Sequence, residues 1–310
     1  MQYQLLNSKN ETASHFIDNF SINNNLPGMN TQAQNFKKIK SENLTLTVYY
    51  AAEVSFGVTS VIVSGKKDAV LIDAQFTLAD AENVAQEIKK SGKNLTTIFI
   101  SHGDPDFYFG LEVFKKYFPQ AIVYSTEATV NHIKLTEQKK LDVWGAQMGD
   151  AITKNIVLPQ ILKDSSIDLE GQKLEVIGLE EFPHRTFIWI PSIKAVVGGI
   201  NVFGNTFHVW MAEDKESTEK DARKNWFAAL DEIESLNPQT VIPTHINEAA
   251  ALNLTSVSYT KEYLRFYRQS LKTNKTSESL IKTLKAKYPN AGLLPALEIG
   301  AKVNTGEMKW

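Results

Sequence analysis

The sequence predicts an α/β protein folded as an αββα sandwich, in which two mixed β-sheets pack together and helices cover their outer sides. Three observations carry this prediction. Short apolar strands follow one another from residue 43, strands and helices then alternate, and a second strand-rich block precedes the C-terminal helices. Stacking two sheets between helices buries the apolar faces of all these elements.

The elements of the first half are apolar segments separated by turn residues. Segments rich in β-branched residues predict strands at 43–51, 59–65, 68–73, 94–101 and 121–125. Apolar residues at helical spacing predict helices at 78–93, 110–118 and 126–144.

The second half repeats this logic. A hairpin is predicted at 166–179, with Glu170-Gly171 at its turn, and two apolar strands at 185–203. An amphipathic helix at 217–236, with Ser217 or Thr218 as the N-cap, leads to a strand at 239–245. Two further helices are predicted at 260–271 and 277–288.

The domain organisation follows from the distribution of polar residues. Residues 1–40 are rich in Asn and Gln and predict an irregular N-terminal arm with at most one short helix. Because no Pro/Gly/Ser-rich linker interrupts the remainder, we expect residues 41–310 to form one domain, with C-terminal helices within 258–287.

The composition is that of a globular protein and excludes several classes of function. The 310 residues are 43% hydrophobic and 22% charged, which excludes disordered and fibrous proteins. Cysteine is absent, so any metal must be held by His, Asp, Glu or backbone oxygen. The net charge of −2 gives no reason to expect nucleic acid or an anionic membrane as a partner, and no apolar run is long enough to span a bilayer.

The N-terminus lacks a basic start followed by an apolar stretch, so no signal peptide is visible. We therefore expect a cytoplasmic protein by default, and a secreted or periplasmic one if the N-terminus has been trimmed. A small-molecule substrate is the expected partner. An oligomer stays open, because the aromatic helix at 260–271 can face a partner as well as the core.

The segment 100–110 is the strongest candidate for chemistry. It follows a buried strand and places His102, Asp104 and Asp106 at every second position, stiffened by Pro105. Convergent imidazoles and carboxylates are what a divalent metal requires. The alternative is an ordinary acidic turn that caps the helix at Gly110.

Other strand ends carry single polar residues whose roles stay open. Asp73 closes an apolar strand and can orient a metal-binding His, or simply cap a turn. His245 and His184 lie at a strand end and a strand start, where each can be a ligand or a packed residue. His208 lies among aromatic residues and suits a substrate-facing or a structural role. The remaining histidines, at 15 and 132, lie on predicted helices in polar surroundings and are set aside.

In their order along the chain, these segments resemble the metallo-β-lactamase superfamily. The resemblance covers about 45–245 and rests on LID at 71–73, SHGDPDFYFG at 101–110, VVGGINVF at 196–203 and IPTH at 242–245. It implies an αββα sandwich whose loops hold one or two metals that activate water. The ordered succession is more specific than any single segment.

The sequence departs from the superfamily pattern at the metal ligands themselves. Asp104 replaces the second His of the main motif, Phe107 its last His and Ile200 the bridging Asp. Thr244 replaces the Gly before the final His. Because Phe107 and Ile200 offer no lone pair, we expect at most one tightly bound metal.

The resemblance implies a ligand set and roles for its neighbours. The metal ligands would be drawn from His102, Asp104, Asp106, His184 and His245, with Asp73 supporting them. Asp106 would orient or deprotonate the water, and the substrate side would be lined by Tyr108, His208 and Trp210. Zinc is favoured, while iron or manganese would suit the extra carboxylate.

Two functions follow. The first is a metal-dependent hydrolase of an ester, lactone, phosphate or related bond, at a degenerate, mononuclear site. The second is a non-catalytic binding or regulatory protein that has lost the metal site and needs no cofactor. Phe107 and Ile200 favour the second, whereas four convergent polar groups favour the first.

Overall fold

The computed structural model describes residues 35–212 and 220–309. The strands of the first half are β1 (Phe36–Lys40), β2 (Thr45–Tyr50), β3 (Thr59–Ser64), β4 (Asp68–Ile72), β5 (Asn94–Ile100), β6 (Ile122–Ser125) and β7 (Gln160–Ile161). Those of the second half are β8 (Ser166–Leu169), β9 (Gln172–Ile177), β10 (Phe187–Ile190), β11 (Ala195–Val197) and β12 (Thr240–Val241). The helices are α1 (Leu78–Ser91), α2 (Pro105–Tyr108), α3 (Leu111–Tyr117), α4 (Glu127–Met148), α5 (Lys220–Ser235), α6 (Leu254–Thr273), α7 (Ser277–Lys287) and α8 (Leu294–Thr305).

The strands form two mixed sheets, as expected for an αββα sandwich. The first sheet has the order β1-β2-β3-β4-β5-β6-β7, antiparallel up to β4 and parallel from β4 onward. The second has the order β12-β11-β10-β9-β8, and only its β11–β12 pair is parallel. The parallel strands β4 and β5 end at the same edge, which is where the candidate motif begins.

Along each inner strand, successive side chains point alternately into two different hydrophobic cores. On β3, Val61 and Val63 face the core between the sheets, whereas Ile62 faces the core under the helices. On β4, Ile72 faces the core between the sheets and Leu71 faces the core under the helices. Because both faces are buried, these strands appear in the sequence as continuous apolar runs.

The N-terminal boundary differs from the sequence-based prediction. Phe36–Lys40, placed in the irregular arm, is an edge strand that pairs antiparallel with β2. Its lysines hid the strand signal, yet lysine is common on edge strands, where it discourages pairing with another chain. The predicted helix cap at 217–218 lies outside the described residues.

The C-terminal region and the motif loop also contain elements that the sequence analysis did not predict. Helix α8 (Leu294–Thr305) was missed, and the loop residues Pro105–Tyr108 form the short helix α2. The helix α4 was predicted, although it extends beyond Trp144 to Met148. Within the described ranges, no helix is long and apolar enough to cross a membrane.

Helix α4 docks beside the motif loop through its two ends. At its start, the Thr126 hydroxyl oxygen accepts a hydrogen bond from the Thr129 amide at 3.2 Å, which is an N-cap. Near its end, the Trp144 ring packs edge-on against Phe56 and Phe76, with centroids 5.5 and 5.2 Å away. The middle of α4 is thereby held against the loop that follows β5.

Candidate functional site

Asp73 fixes the start of the motif loop through Ser101. Its Oδ1 accepts a hydrogen bond from the Ser101 amide at 2.8 Å, and its Oδ2 accepts one from the Ser101 hydroxyl at 2.7 Å. Burial raises the pKa of Asp73 to about 7, although the two hydrogen bonds from Ser101 oppose this rise. Asp73 thus binds the residue that precedes His102, and its expected role in orienting a metal-binding histidine stays a prediction.

Ser101 also joins the two sheets. Its Oγ accepts a hydrogen bond from the Gly199 amide at 2.7 Å, in the loop that follows β11. Gly199 has φ +76°, and a Cβ there would overlap the Thr186 carbonyl oxygen, so only glycine presents its amide in this way. Gly199 of the sequence motif therefore serves to connect the loop after β11 to Ser101.

His102 and Asp104 are neighbours, but they do not form a charged pair. The Asp104 amide donates to His102 Nδ1 at 3.3 Å, so this nitrogen carries the lone pair. Burial lowers the pKa of His102 to about 3, with a smaller opposing effect from Asp104. Asp104 Oδ2 lies 3.5 Å from His102 Nδ1. Because the imidazole is neutral, this contact is not a salt bridge.

Lys140, from the middle of α4, is a cationic partner of Asp104. Lys140 Nζ lies 3.2 Å from Asp104 Oδ1 and donates to the Gly103 carbonyl at 2.7 Å. It also lies 3.1 Å from His132 Nε2. Burial, followed by the Lys140 charge, lowers the pKa of His132.

Asp106 and His245 form a second pair. His245 Nδ1 lies 3.0 Å from the Phe56 carbonyl, which can only accept, so Nδ1 carries the proton. His245 Nε2 then faces Asp106 Oδ2 at 3.5 Å. Burial lowers the pKa of His245 to about 4 and raises the pKa of Asp106 well above its usual value.

Phe107 is in contact with both histidines. It is fully buried, and its ring centroid lies 5.2 Å from that of His102 and 6.4 Å from that of His245. Ile200 is also buried, at the position where the superfamily pattern has a bridging carboxylate. Apolar side chains thus fill the two places where the sequence analysis noted missing ligands.

The remaining predicted ligand, His184, does not join these pairs. It is exposed, and it lies near enough to His132 to lower the pKa of that residue. Among the described residues it forms no group with His102 and Asp104 that could hold a metal ion.

The three predicted substrate-facing residues are packed inside the protein or against its last helix. Tyr108 and His208 are almost fully buried, and His208 Nδ1 lies 3.0 Å from the Tyr263 hydroxyl. Trp210 is half-buried and packs against the apolar cluster that contains Ile299 of α8. Tyr108 and His208 thus belong to the buried interior of the described structure, and their expected place at an entrance stays a prediction.

Sequence reasoning missed Lys140 and set His132 aside. Both are polar residues on a mostly exposed helix, so nothing in their local pattern separates them from solvent-facing neighbours. A weak signal was available in Gly103. A Cβ there would lie 2.6 Å from His132 Cδ2. The glycine is therefore needed because α4 passes so close to the loop.

The donors at this edge do not fit the expected metal. Across the part of the chain that the structure describes, no three His, Asp or Glu side chains form a group that could hold a metal ion. One of the two carboxylates expected as ligands, Asp104, already faces the Lys140 ammonium. Zinc sites need three or four converging donors, and a protonated amine offers none.

Comparisons with known proteins agree with the fold. A family model described as the metallo-beta-lactamase superfamily matches residues 54–190. No curated protein matches the chain.

Two solved structures illustrate the similarity. A metallo-beta-lactamase from Pontibacter korlensis is 20% identical, with a TM-score of 0.51, over 74% of this chain and 99% of its own. The metallo-beta-lactamase IND-7 is 18% identical, with a TM-score of 0.53, over 76% of this chain and 100% of its own. The ordered motif segments, the two mixed sheets flanked by helices and the family-model match over residues 54–190 together support membership of the metallo-β-lactamase superfamily.

Proposed function

We propose that the chain hydrolyses a small molecule with an ester, lactone, phosphate or related bond, and that Asp106 and His245 handle the proton of the attacking water. One observation carries this proposal. The Phe56 carbonyl fixes the tautomer of His245, so that its Nε2 faces a buried carboxyl group at the sheet edge where the superfamily performs its chemistry. Buried ionisable pairs with shifted pKa values are concentrated at functional sites.

The pair can accept and return a single proton. In the proposed resting state Asp106 carries a proton and faces His245 Nε2 at 3.5 Å, because burial raises the pKa of the carboxyl group and lowers that of the imidazole. As water attacks the substrate, Asp106 takes the water proton while its own proton passes to His245. The resulting imidazolium is acidic, because burial disfavours its charge, and it returns the proton to the leaving group.

The metal part of the sequence-based prediction stays a prediction. The superfamily typically uses divalent metals, which would activate water if one bound here. The donors described above do not form a complete ligand group. The roles proposed for Asp106 and His245 are therefore confined to holding and moving a proton.

A second candidate is a binding protein without catalysis. Phe107 supports it, because this buried ring occupies space beside both histidines and leaves no donor between them. The Lys140 contact with Asp104 supports it too, because that carboxylate is already paired. Such a protein would bind its small molecule at the same edge and release it unchanged.

A substrate screen separates the two candidates. Esters, lactones, phosphates, sulfates and β-lactams are offered to the protein with chelator and with added zinc, manganese or iron. The variant Asp106→Asn keeps the shape and removes the exchangeable carboxyl proton, so turnover should fall by ~10²–10⁴. The matched control Asp164→Asn changes an exposed carboxylate and should retain full activity.

Turnover that survives Asp106→Asn unchanged would show that the assigned residues are wrong. If no compound is turned over but one of them stabilises the protein against heating, the binding function replaces the hydrolase.

A further inference from the structure

Lys140 lies beside Asp104, which stands where the superfamily pattern has a metal-binding His. Its Nζ lies among three acceptors at the start of the motif loop: the Gly103 carbonyl at 2.7 Å, His132 Nε2 at 3.1 Å and Asp104 Oδ1 at 3.2 Å. An ammonium has only donors, so His132 must accept through Nε2. These are the contacts of a coordinated cation, made by a side chain of the protein itself.

The position of Lys140 is fixed by the packing of α4. Trp144, one turn further along, packs against Phe56 and Phe76. At the other side, His132 approaches Gly103 so closely that any side chain there would meet its ring. The Lys140 side chain is only 17% exposed. The helix is therefore packed on both sides of Lys140, which restricts the position of this side chain.

The charge of Asp104 explains why a cation lies at this position. A largely buried carboxylate is costly unless a positive charge compensates it, and in this superfamily a metal would do so. Here the Lys140 ammonium lies against this carboxylate, and apolar side chains, Phe107 and Ile200, occupy the positions of two missing ligands. A divalent ion on Asp104 would also lie next to the ammonium, and like charges repel strongly at such distances in a partly buried site.

We propose that the Lys140 ammonium takes the place of a metal ion beside Asp104, so that the protein folds and is stable without a bound metal. This inference concerns the electrostatics of the loop and does not depend on whether the protein is a hydrolase.

The wild-type protein gives the first test. Purified without chelator and then equilibrated with zinc or manganese, it should retain far less than one metal per chain after gel filtration. Its midpoint of thermal unfolding should be the same with chelator and with either metal. One metal per chain, whose removal lowers the unfolding midpoint, would overturn the proposal.

Variants of the lysine give the second test. Lys140→Met removes the charge and keeps most of the side-chain length, so the unfolding midpoint should fall and zinc or manganese should restore part of the loss. Lys140→Arg keeps the charge and should remain insensitive to metal. The control Lys139→Met changes an exposed neighbour on the same helix and should behave as wild type.

A double variant that also changes Asp104 gives the third test. Adding Asp104→Asn to Lys140→Met removes the carboxylate charge that the ammonium faced, so the double variant should unfold at a higher temperature than Lys140→Met alone. A Lys140→Met protein with the wild-type midpoint and no response to metal would contradict the proposal. If Lys140→Met fails to fold, the metal content of the wild type and of Lys140→Arg still decides the question.

The outcomes are separable from those of the substrate screen. Metal-free protein with turnover supports both proposals, and metal-free protein without turnover supports the lysine alone. Turnover that requires a stoichiometric metal would support hydrolysis and refute the lysine's role.

Discussion

Replacing Asp73 with Asn should stabilise the protein above neutral pH. The pKa of Asp73 is about 7 in the folded protein, because burial outweighs its two hydrogen bonds from Ser101. In the unfolded chain the pKa of an aspartate is about 3.9. An acid with the higher pKa in the folded state binds its proton more tightly there, so the free energy of unfolding falls as pH rises from about 4 to about 7.

The magnitude follows from the difference of about three pKa units between the two states. At ~1.4 kcal/mol per unit, ionised Asp73 lowers the free energy of unfolding by about 4 kcal/mol above neutral pH. The asparagine of the variant would avoid this cost and keep the hydrogen bonds, since its Oδ1 can accept from the Ser101 amide and its Nδ2 can donate to the Ser101 hydroxyl oxygen. Asparagine also tolerates the left-handed backbone at this position, where φ is +63°.

The assay is denaturant unfolding of wild type and Asp73→Asn at about pH 4 and about pH 8. We expect similar stabilities at the lower pH and a gain of up to about 4 kcal/mol for the variant at the higher pH. Asp73→Ala serves as a contrast, because it leaves the Ser101 amide and hydroxyl without their acceptor and should cost about 1–3 kcal/mol at the lower pH. An Asp73→Asn variant that is less stable than wild type at the higher pH would refute the assigned burial cost.

Three further changes test the packing around the site. Phe107→His with Ile200→Asp restores two ligand types and should raise the metal content measured by elemental analysis; an unchanged content would show that the loop has left the superfamily geometry. Gly110→Ala places a Cβ against the Ala74 carbonyl oxygen and should lower the unfolding midpoint sharply, whereas a neutral result would mean that this loop yields easily. Trp144→Ala should cost about 3–5 kcal/mol in denaturant unfolding, and a loss under about 1 kcal/mol would show that α4 does not depend on this ring.

The strand-end loops were predictable because their positions follow from strand order. Asp73, the loop at His102 and His245 each follow an apolar strand, and the fold brings these ends together. Their ordered spacing resembled one superfamily, which the family model and the sheet topology support. Phe107 and Ile200 were correctly identified as residues without ligand atoms, since their chemistry is independent of geometry.

Contacts made across the fold were not predictable from local pattern. Lys140 reaches Asp104 from 36 residues away, on a helix whose polar residues mostly face solvent. His208 was interpreted as substrate-facing because it lies among aromatic residues, but those residues belong to the core around Tyr263. The lysines of Phe36–Lys40 concealed an edge strand, because edge strands tolerate charges that inner strands do not.

The hydrogen bond from Gly199 to Ser101 has a mechanical consequence. Ser101 belongs to the end of the first sheet and Gly199 to the end of the second, so this bond opposes sliding of one sheet over the other at the site edge. His102 is the next residue after Ser101. A shift between the sheets would therefore be transmitted directly to the imidazole, and the alignment of the two sheets sets the position of the first polar group in the loop.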